Sequence, residues 1–128
     1  MSRRKGATAE RRAAKFLTDN GMPATRAARC GVDGGDDIMC PGLKIALEVK
    51  DSMAVRPGTK AMLDALCQAS QLGSNNRQDL FAVLWWENRK GWRLTVCTWV
   101  FDRLVQATIY EESDIVSILK ANYEGAKP

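Results

Sequence analysis

The chain has 128 residues and a mass of 14.2 kDa, and its 45% hydrophobic and 27% charged composition is ordinary for one globular domain. It contains no run of 18 apolar residues, so we expect no membrane span. Its four cysteines form no Cys-x-x-Cys pair, which favours reduced packing thiols in a cytoplasmic protein over a zinc site. The lack of histidine excludes Ser-His-Asp and Cys-His catalysis, HNH-type nuclease chemistry and His-ligated zinc.

The net charge of +4 is unevenly distributed along the chain. Residues 1–29 hold eight Lys or Arg and two acids, a net charge of +6. Residues 30–51 hold two Lys and five acids, a net charge of −3, and residues 52–93 return to +3. An acidic cluster between basic segments suits a metal site that meets a polyanion, although a moderately basic globular protein explains the charge equally well.

Hydrophobic periodicity predicts four helical regions in one domain that spans residues 1–128. The first covers residues 8–20, with Thr8 as its cap and Gly21 and Pro23 as its stop, and residues 1–6 are expected to form a basic tail. The second covers residues 59–72 and is closed by Gly and Asn at 73–76. Short helices are expected near 99–106 and 113–123.

The strands are predicted from alternating or continuous apolar runs. They are expected at 24–29, 36–40, 43–50, 80–86 and 92–98. Pro41-Gly42 is the signature of a type II turn between the second and third of these strands. The resulting order of helices and strands predicts an α/β fold with a mixed sheet.

Strict alternation over residues 43–50 places Glu48 and Lys50 on one face of a strand. If Pro41-Gly42 is a two-residue hairpin loop, Asp37 lies on that same face and Asp36 on the opposite one, whereas an odd loop length reverses the choice. Diagonal neighbours on paired strands are about 7–8 Å apart, so the carboxylates of Asp37 and Glu48 can meet at one ion. If this strand is considered without its neighbours, a polar face exposed to solvent explains the same alternation.

Glu10 adds a third carboxylate, because a helical wheel places it within the apolar arc of the first helix. A carboxylate on a buried face needs a partner or a metal ion. The alternative is a first-turn Glu that complements the helix dipole at a partly exposed position. The apolar arc consists of Ala9, Ala13, Ala14, Phe16 and Leu17, and the outer face of Arg11, Arg12, Lys15 and Asp19.

Glu10, the Gly-Gly-Asp-Asp-Ile run that ends at Ile38, and Glu48-Val49-Lys50 together resemble the PD-(D/E)xK nuclease superfamily. The compact size and Gln68 on the second helix resemble its Holliday junction resolvase branch. One departure is Asp36, which stands where proline is common. The resemblance implies a restriction-endonuclease-like αβββαβ core, with a central mixed sheet flanked by helices.

The resemblance also implies a role for each site residue. Asp37, Glu48 and the Val49 carbonyl are expected to hold Mg²⁺, with Mn²⁺ able to substitute, and Glu10 to complete the metal shell. Lys50 is expected to orient or activate the attacking water, and Gln68 to reach the active site. A metal both polarises the phosphate and lowers the pKa of its bound water, which phosphodiester hydrolysis requires.

DNA, especially four-way junctions, is the expected partner, in recombination and repair within a bacterial or phage-infected cell. The expected DNA contacts are Arg3, Arg4, Lys5, Arg11, Arg12, Arg26, Arg29 and Lys60. Paired cuts in a junction imply a homodimer, and the four tryptophans are read first as core and otherwise as a dimer interface. The alternatives are a flap or restriction-like nuclease, a non-catalytic DNA-binding protein, and a purely structural protein.

Overall fold

A computed structural model of the chain describes residues 3–26, 38–50, 55–75 and 80–125, with side chains described at 8–26, 38–50, 55–74 and 80–125. The described elements follow in chain order as α1 (Arg3–Asp19), β1 (Thr25–Arg26), β2 (Ile38–Met39), β3 (Ala46–Lys50), α2 (Lys60–Asn75), β4 (Phe81–Glu87), β5 (Gly91–Val100), β6 (Arg103–Ile109) and α3 (Glu112–Ala121). None of the described helices is long and apolar enough to cross a bilayer.

The main sheet has four strands in the order β3-β4-β5-β6. β3 and β4 are parallel, and the other two pairs are antiparallel. β1 and β2 form a separate antiparallel pair. The predicted α/β class with a mixed sheet is therefore confirmed. The parallel pair needs a crossover, and α2 supplies it between β3 and β4.

Two apolar clusters cover opposite faces of this sheet. On one face, α1 and α3 pack on residues such as Val49, Leu84 and Leu94. On the other face, α2 packs through Met62, Ala65, Leu66 and Ala69 on residues such as Ala46 and Val83. Since each strand sends alternate side chains to each face, the core fixes which face every residue of β3 occupies.

α1 begins at Arg3, so the prediction that Thr8 caps this helix is wrong, and most of the expected basic tail belongs to the helix. Its end is as predicted: Gly21 has a φ of +86°, and the Met22 N–H donates to the Leu17 carbonyl at 2.9 Å. This is a Schellman motif, in which the buried side chains of Leu17 and Met22 lie at the paired positions.

The predicted hairpin between β2 and β3 is wrong for the described residues. The turn itself forms, since the Leu43 N–H donates to the Cys40 carbonyl and Gly42 has a φ of +95°. Met39, however, pairs with Thr25, and the Lys44 N–H donates to the Asn122 carbonyl at 2.7 Å. A type II turn does not match the twist of two paired strands, so it separates them instead of joining them. Asp36 and Asp37 lie outside the described residues.

The predicted helix at 99–106 is also wrong. β5 runs to Val100, turns through Phe101 and Asp102, and returns as β6. Both turn residues have positive φ, +48° and +65°, as a type I′ turn requires. Such turns usually carry Asn-Gly, and this unusual pair of residues removes the hairpin signal from the sequence.

α2 begins directly after Thr59, whose hydroxyl accepts a hydrogen bond from the Met62 N–H at 3.1 Å. It runs through Gly73, so the predicted stop at that glycine is wrong. Helical spacing predicts Leu63, Leu66 and Cys67 on the core side of this helix, which is wrong for Leu63 and Cys67, because both side chains are exposed.

Cys40, Cys67 and Cys97 are free thiols, and the predicted packing role fits the buried Cys97, whose thiol pKa is raised by burial. Cys30 lies outside the described residues. Among the tryptophans, Trp85 and Trp92 are core residues, Trp86 is partly buried and Trp99 is exposed.

Candidate functional site

Glu48 and Lys50 lie side by side on β3, as the alternation predicts. They share the face on which Ala46 packs against α2, while Leu47 and Val49 point to the α1 side. The Lys50 Nζ is 3.4 Å from Glu48 Oε2, and the Glu48 side chain is only 16% exposed. A carboxylate this buried needs a cationic partner, and Lys50 provides one.

Glu10 is also mostly buried, with a side chain that is 13% exposed. The Arg26 Nε donates to Glu10 Oε1 at 2.7 Å, which joins α1 to β1. Because α1 begins at Arg3, Glu10 lies well past its first turn, so the helix-dipole interpretation is wrong. Arg26, expected to bind a phosphate, is engaged with this carboxylate.

Glu10 and Glu48 approach β3 from different sides. Glu10 belongs to the helix that packs on one face of the sheet, and Glu48 points to the α2 face. β3 is an edge of the described four-stranded sheet, so side chains from both faces can meet around its free side. Asp37 directly precedes β2 and is outside the described residues; within those residues, no three acidic or cysteine side chains form a group suited to a metal ion.

Helical spacing predicts Lys60, Asp64, Gln68 and Gln71 on one face of α2, and all four side chains are exposed. Lys60 Nζ pairs with Asp64 Oδ2 at 3.1 Å, one helical turn away. Gln68 is on the solvent side of the helix. Arg11 is exposed on α1, as predicted for a DNA contact. The side chains of Arg3, Arg4, Lys5 and Arg29 are outside the described set.

Arg12 was predicted as a DNA contact, but the other cations at the carboxyl end of the parallel pair were not. β3 ends at Lys50, which is in register with Trp85, and β4 continues for two more residues to Glu87. The turn after β4 carries the exposed Arg89 and Lys90. We name Arg12, Arg56, Arg89, Lys90 and Arg93 the basic rim. In the sequence, the only indication of the last four of these residues was the net charge of +3 over residues 52–93. That charge does not show which of the basic residues lie close together in the fold.

Glu87 lies among members of the basic rim. The Arg93 Nε donates to Glu87 Oε1 at 2.8 Å, and this bond lowers the pKa of the carboxyl group, with further lowering by the charges of Arg93, Lys90 and Arg56. Arg93 also donates to the Tyr110 carbonyl at 2.6 Å, so it is held in place. One carboxylate thus faces three cations, and the rim keeps an excess of positive charge.

The comparisons with known proteins add no relative: no family model, no curated protein and no solved structure matches this chain significantly. The chemistry of the site therefore has to be argued from its own residues. These are a buried carboxylate beside an amine on an edge strand, a second buried carboxylate on α1, and a rim of cations.

Proposed function

We propose that this protein is a Mg²⁺-dependent DNA endonuclease of the PD-(D/E)xK type that acts on branched DNA, with four-way junctions as the preferred substrate. The observation that carries the proposal is the Glu48–Lys50 pair on edge strand β3. The buried carboxylate supplies a metal ligand, and the adjacent amine lies where it can hold a water molecule or balance charge on a phosphate.

The arrangement of elements supports the same proposal. The succession αβββαβ is present from α1 to β4, with β3 parallel to β4 and α2 as the crossover between them. β2 follows the segment that contains Asp36 and Asp37. This order agrees with a restriction-endonuclease-like core, although β1 and β2 form their own small sheet.

The donor set fits a magnesium ion, because carboxylate and carbonyl oxygens are the ligands that this hard cation prefers. In this proposal Glu48, the Val49 carbonyl, Asp37 and Glu10 would hold the ion, and Mn²⁺ could replace it. The bound ion would polarise the scissile phosphate and acidify a water molecule. Lys50 would orient that water and offset the charge that develops on the phosphate.

The basic rim supports DNA as the ligand. Its cations surround the same end of the sheet at which β3 and Lys50 end, so a phosphate backbone bound there would pass over the proposed site. Arg11 and Lys60 are further DNA contacts in this proposal, as are the basic residues near the amino terminus and Arg29. Gln68 would reach the active site from α2.

Cleavage of labelled four-way, flap and linear DNA, with Mg²⁺ and with EDTA, tests the function. We expect Mg²⁺-dependent cleavage of junctions that Glu48→Gln abolishes without loss of DNA binding. Glu124→Gln is the matched control, since Glu124 lies beside Lys44 at the other end of β3 and is exposed. Preferential cleavage of flaps or linear DNA would indicate another nuclease of this type. Binding without any cleavage would leave a non-catalytic DNA-binding protein.

A further inference from the structure

Exposed apolar side chains are concentrated around the β5–β6 hairpin. Of the eight large hydrophobic side chains that are exposed in the described part of the chain, six fall between residues 99 and 110. They are Trp99, Val100, Phe101, Leu104, Val105 and Tyr110. Phe101 is 96% exposed and Trp99 58%. Large apolar patches on a surface mark interaction sites more often than isolated apolar residues do.

β6 is an edge strand without the usual protection against pairing. It pairs with β5 in unbroken register along one side, and no described strand pairs with its other side. Its seven residues, 103–109, include no proline and no lysine, and their only charge is Arg103 at the start. Natural edge strands are normally blocked by such residues or by bulges, because their unpaired N–H and C=O groups invite another strand.

We propose that β6 pairs antiparallel with β6 of a second copy of this chain about a two-fold axis at Gln106, which joins the two sheets into one of eight strands. With Gln106 opposite itself, Leu104 faces Thr108 of the second copy, and Val105 faces Ala107. The register with β5 places Leu104 and Gln106 on the α2 side of the sheet, and Val105 and Ala107 on the other. The Val105 and Ala107 side chains would therefore make an apolar contact between the copies on the face away from α2, and Gln106 would meet itself on the α2 face.

The charges at the ends of β6 support this partner. Antiparallel pairing brings the start of one strand to the end of the other. Arg103 would then approach Glu111 and Glu112 of the second copy, which directly follow its β6 and are exposed. Phe101 would approach Tyr110 of the second copy, and both aromatic rings are exposed in the single chain. Each contact occurs twice, as two-fold symmetry requires.

A groove of about 290 Å³ between α2 and the hairpin offers a second copy a different place to dock. Leu63, Leu66, Cys67, Trp99 and Leu104 contribute to its lining. The edge is favoured because it combines unpaired backbone groups with oppositely charged ends. The two possibilities predict different variants that disrupt a dimer.

The test is the mass of the protein in solution at micromolar concentration, measured by light scattering after gel filtration. We expect wild type at twice 14.2 kDa. Val105→Lys/Ala107→Lys and Val105→Glu/Ala107→Glu should each be monomeric, because like charges then face one another across the axis. An equimolar mixture of the two variants should recover the dimer, which shows that both remain folded.

Leu63→Lys is the matched control, since Leu63 is exposed and apolar but lies in the groove on α2. We expect it to stay dimeric. A monomeric wild type, or a dimer that Leu63→Lys disrupts and the Val105/Ala107 variants leave intact, would overturn the proposal. The measurement uses no DNA and no metal, so a dimer joined through β6 can be shown even if the chain does not cleave DNA.

Discussion

The guanidinium carbon of Arg12 lies 4.4 Å from the centre of the Trp86 ring, which itself meets Trp92 edge to face at 5.2 Å. The charged face of α1 is thereby fixed against the end of β4. Stacking of this kind contributes about 0.5–1 kcal/mol at exposed sites. Stacking also leaves the N–H groups at the edge of the guanidinium plane available to a phosphate, so one side chain can serve both packing and DNA binding.

We predict that Arg12→Ala weakens DNA binding and lowers the slope of log affinity against log salt by about 0.9, the contribution of one phosphate contact on duplex DNA. Arg12→Lys should keep the slope but lose thermal stability, because lysine retains the charge without the planar stack. Lys15→Ala is the control, since Lys15 pairs with Asp19 on the exposed side of α1. Salt titrations of a labelled duplex provide the measurement. An unchanged slope in Arg12→Ala would remove this residue from the DNA surface.

We predict that Asp37→Asn abolishes Mg²⁺-dependent cleavage, whereas Asp36→Asn keeps much of it. The reason is the proposed site, in which Asp37 and not Asp36 would hold the metal beside Glu48. DNA binding by Asp37→Asn should be unchanged or tighter, because the substitution removes a charge that repels phosphate. Cleavage and binding assays on the same junction provide the measurement. An active Asp37→Asn with an inactive Asp36→Asn would reverse the assignment.

We predict that Thr95→Val destabilises the fold by about 1–3 kcal/mol, the usual cost of a buried polar group left without a partner. The Trp85 Nε1–H donates to Thr95 Oγ1 at 3.1 Å, and that hydroxyl lies 2.9 Å from Thr108 Oγ1. Denaturant unfolding of Thr95→Val in the wild-type and Trp85→Phe backgrounds measures this coupling. Thr95→Val should lower the free energy of unfolding by less in the Trp85→Phe background, because the phenylalanine ring has no N–H to leave unpaired. Equal losses in the two backgrounds would show that the bond contributes little.

We predict that Glu87 stabilises the folded chain at neutral pH and that this stabilisation is lost at low pH. Its pKa is lowered in the folded chain, first by the hydrogen bond from Arg93, so the stabilisation is complete above the ordinary value of 4.5 and is lost as the pH falls through the lowered value. Glu87→Gln should therefore reduce Tm at pH 7 and have little effect well below pH 4.5. Thermal unfolding at both pH values, with Glu124→Gln as the control, provides the measurement. A Tm difference that persists in acid would contradict the assignment to charge.

The local part of the fold could be predicted from the sequence. The alternation along β3, the burial of Glu10 and the stop at Gly21 each depend on residues close together in the chain, where periodicity and turn chemistry are informative. The Glu48–Lys50 pair was predictable for the same reason. These features define one strand and one helix of the proposed site.

The long-range part could not be predicted in the same way. The partner of Met39 is Thr25, and the partner of Lys44 is Asn122, neither of which a turn signal can reveal. The Phe101-Asp102 turn lacks the residues that usually mark a type I′ hairpin. The basic rim was missed as a group because its members come from α1, the segment before α2, and the β4–β5 region, which only the folded chain brings together.

The segment just before β3 depends on contacts with residues near the carboxyl end of the chain, which are synthesised last. The Glu124 N–H donates to the Gly42 carbonyl at 2.8 Å, and a β-carbon at Gly42 would collide with the Glu124 carbonyl, so residues 42–44 fit closely against residues 122–124. Pairings between such distant segments form late, because a long loop must close first. A ribosome-bound chain that ends before Asn122 would therefore hold Glu48 and Lys50 without the contacts that support the segment before β3.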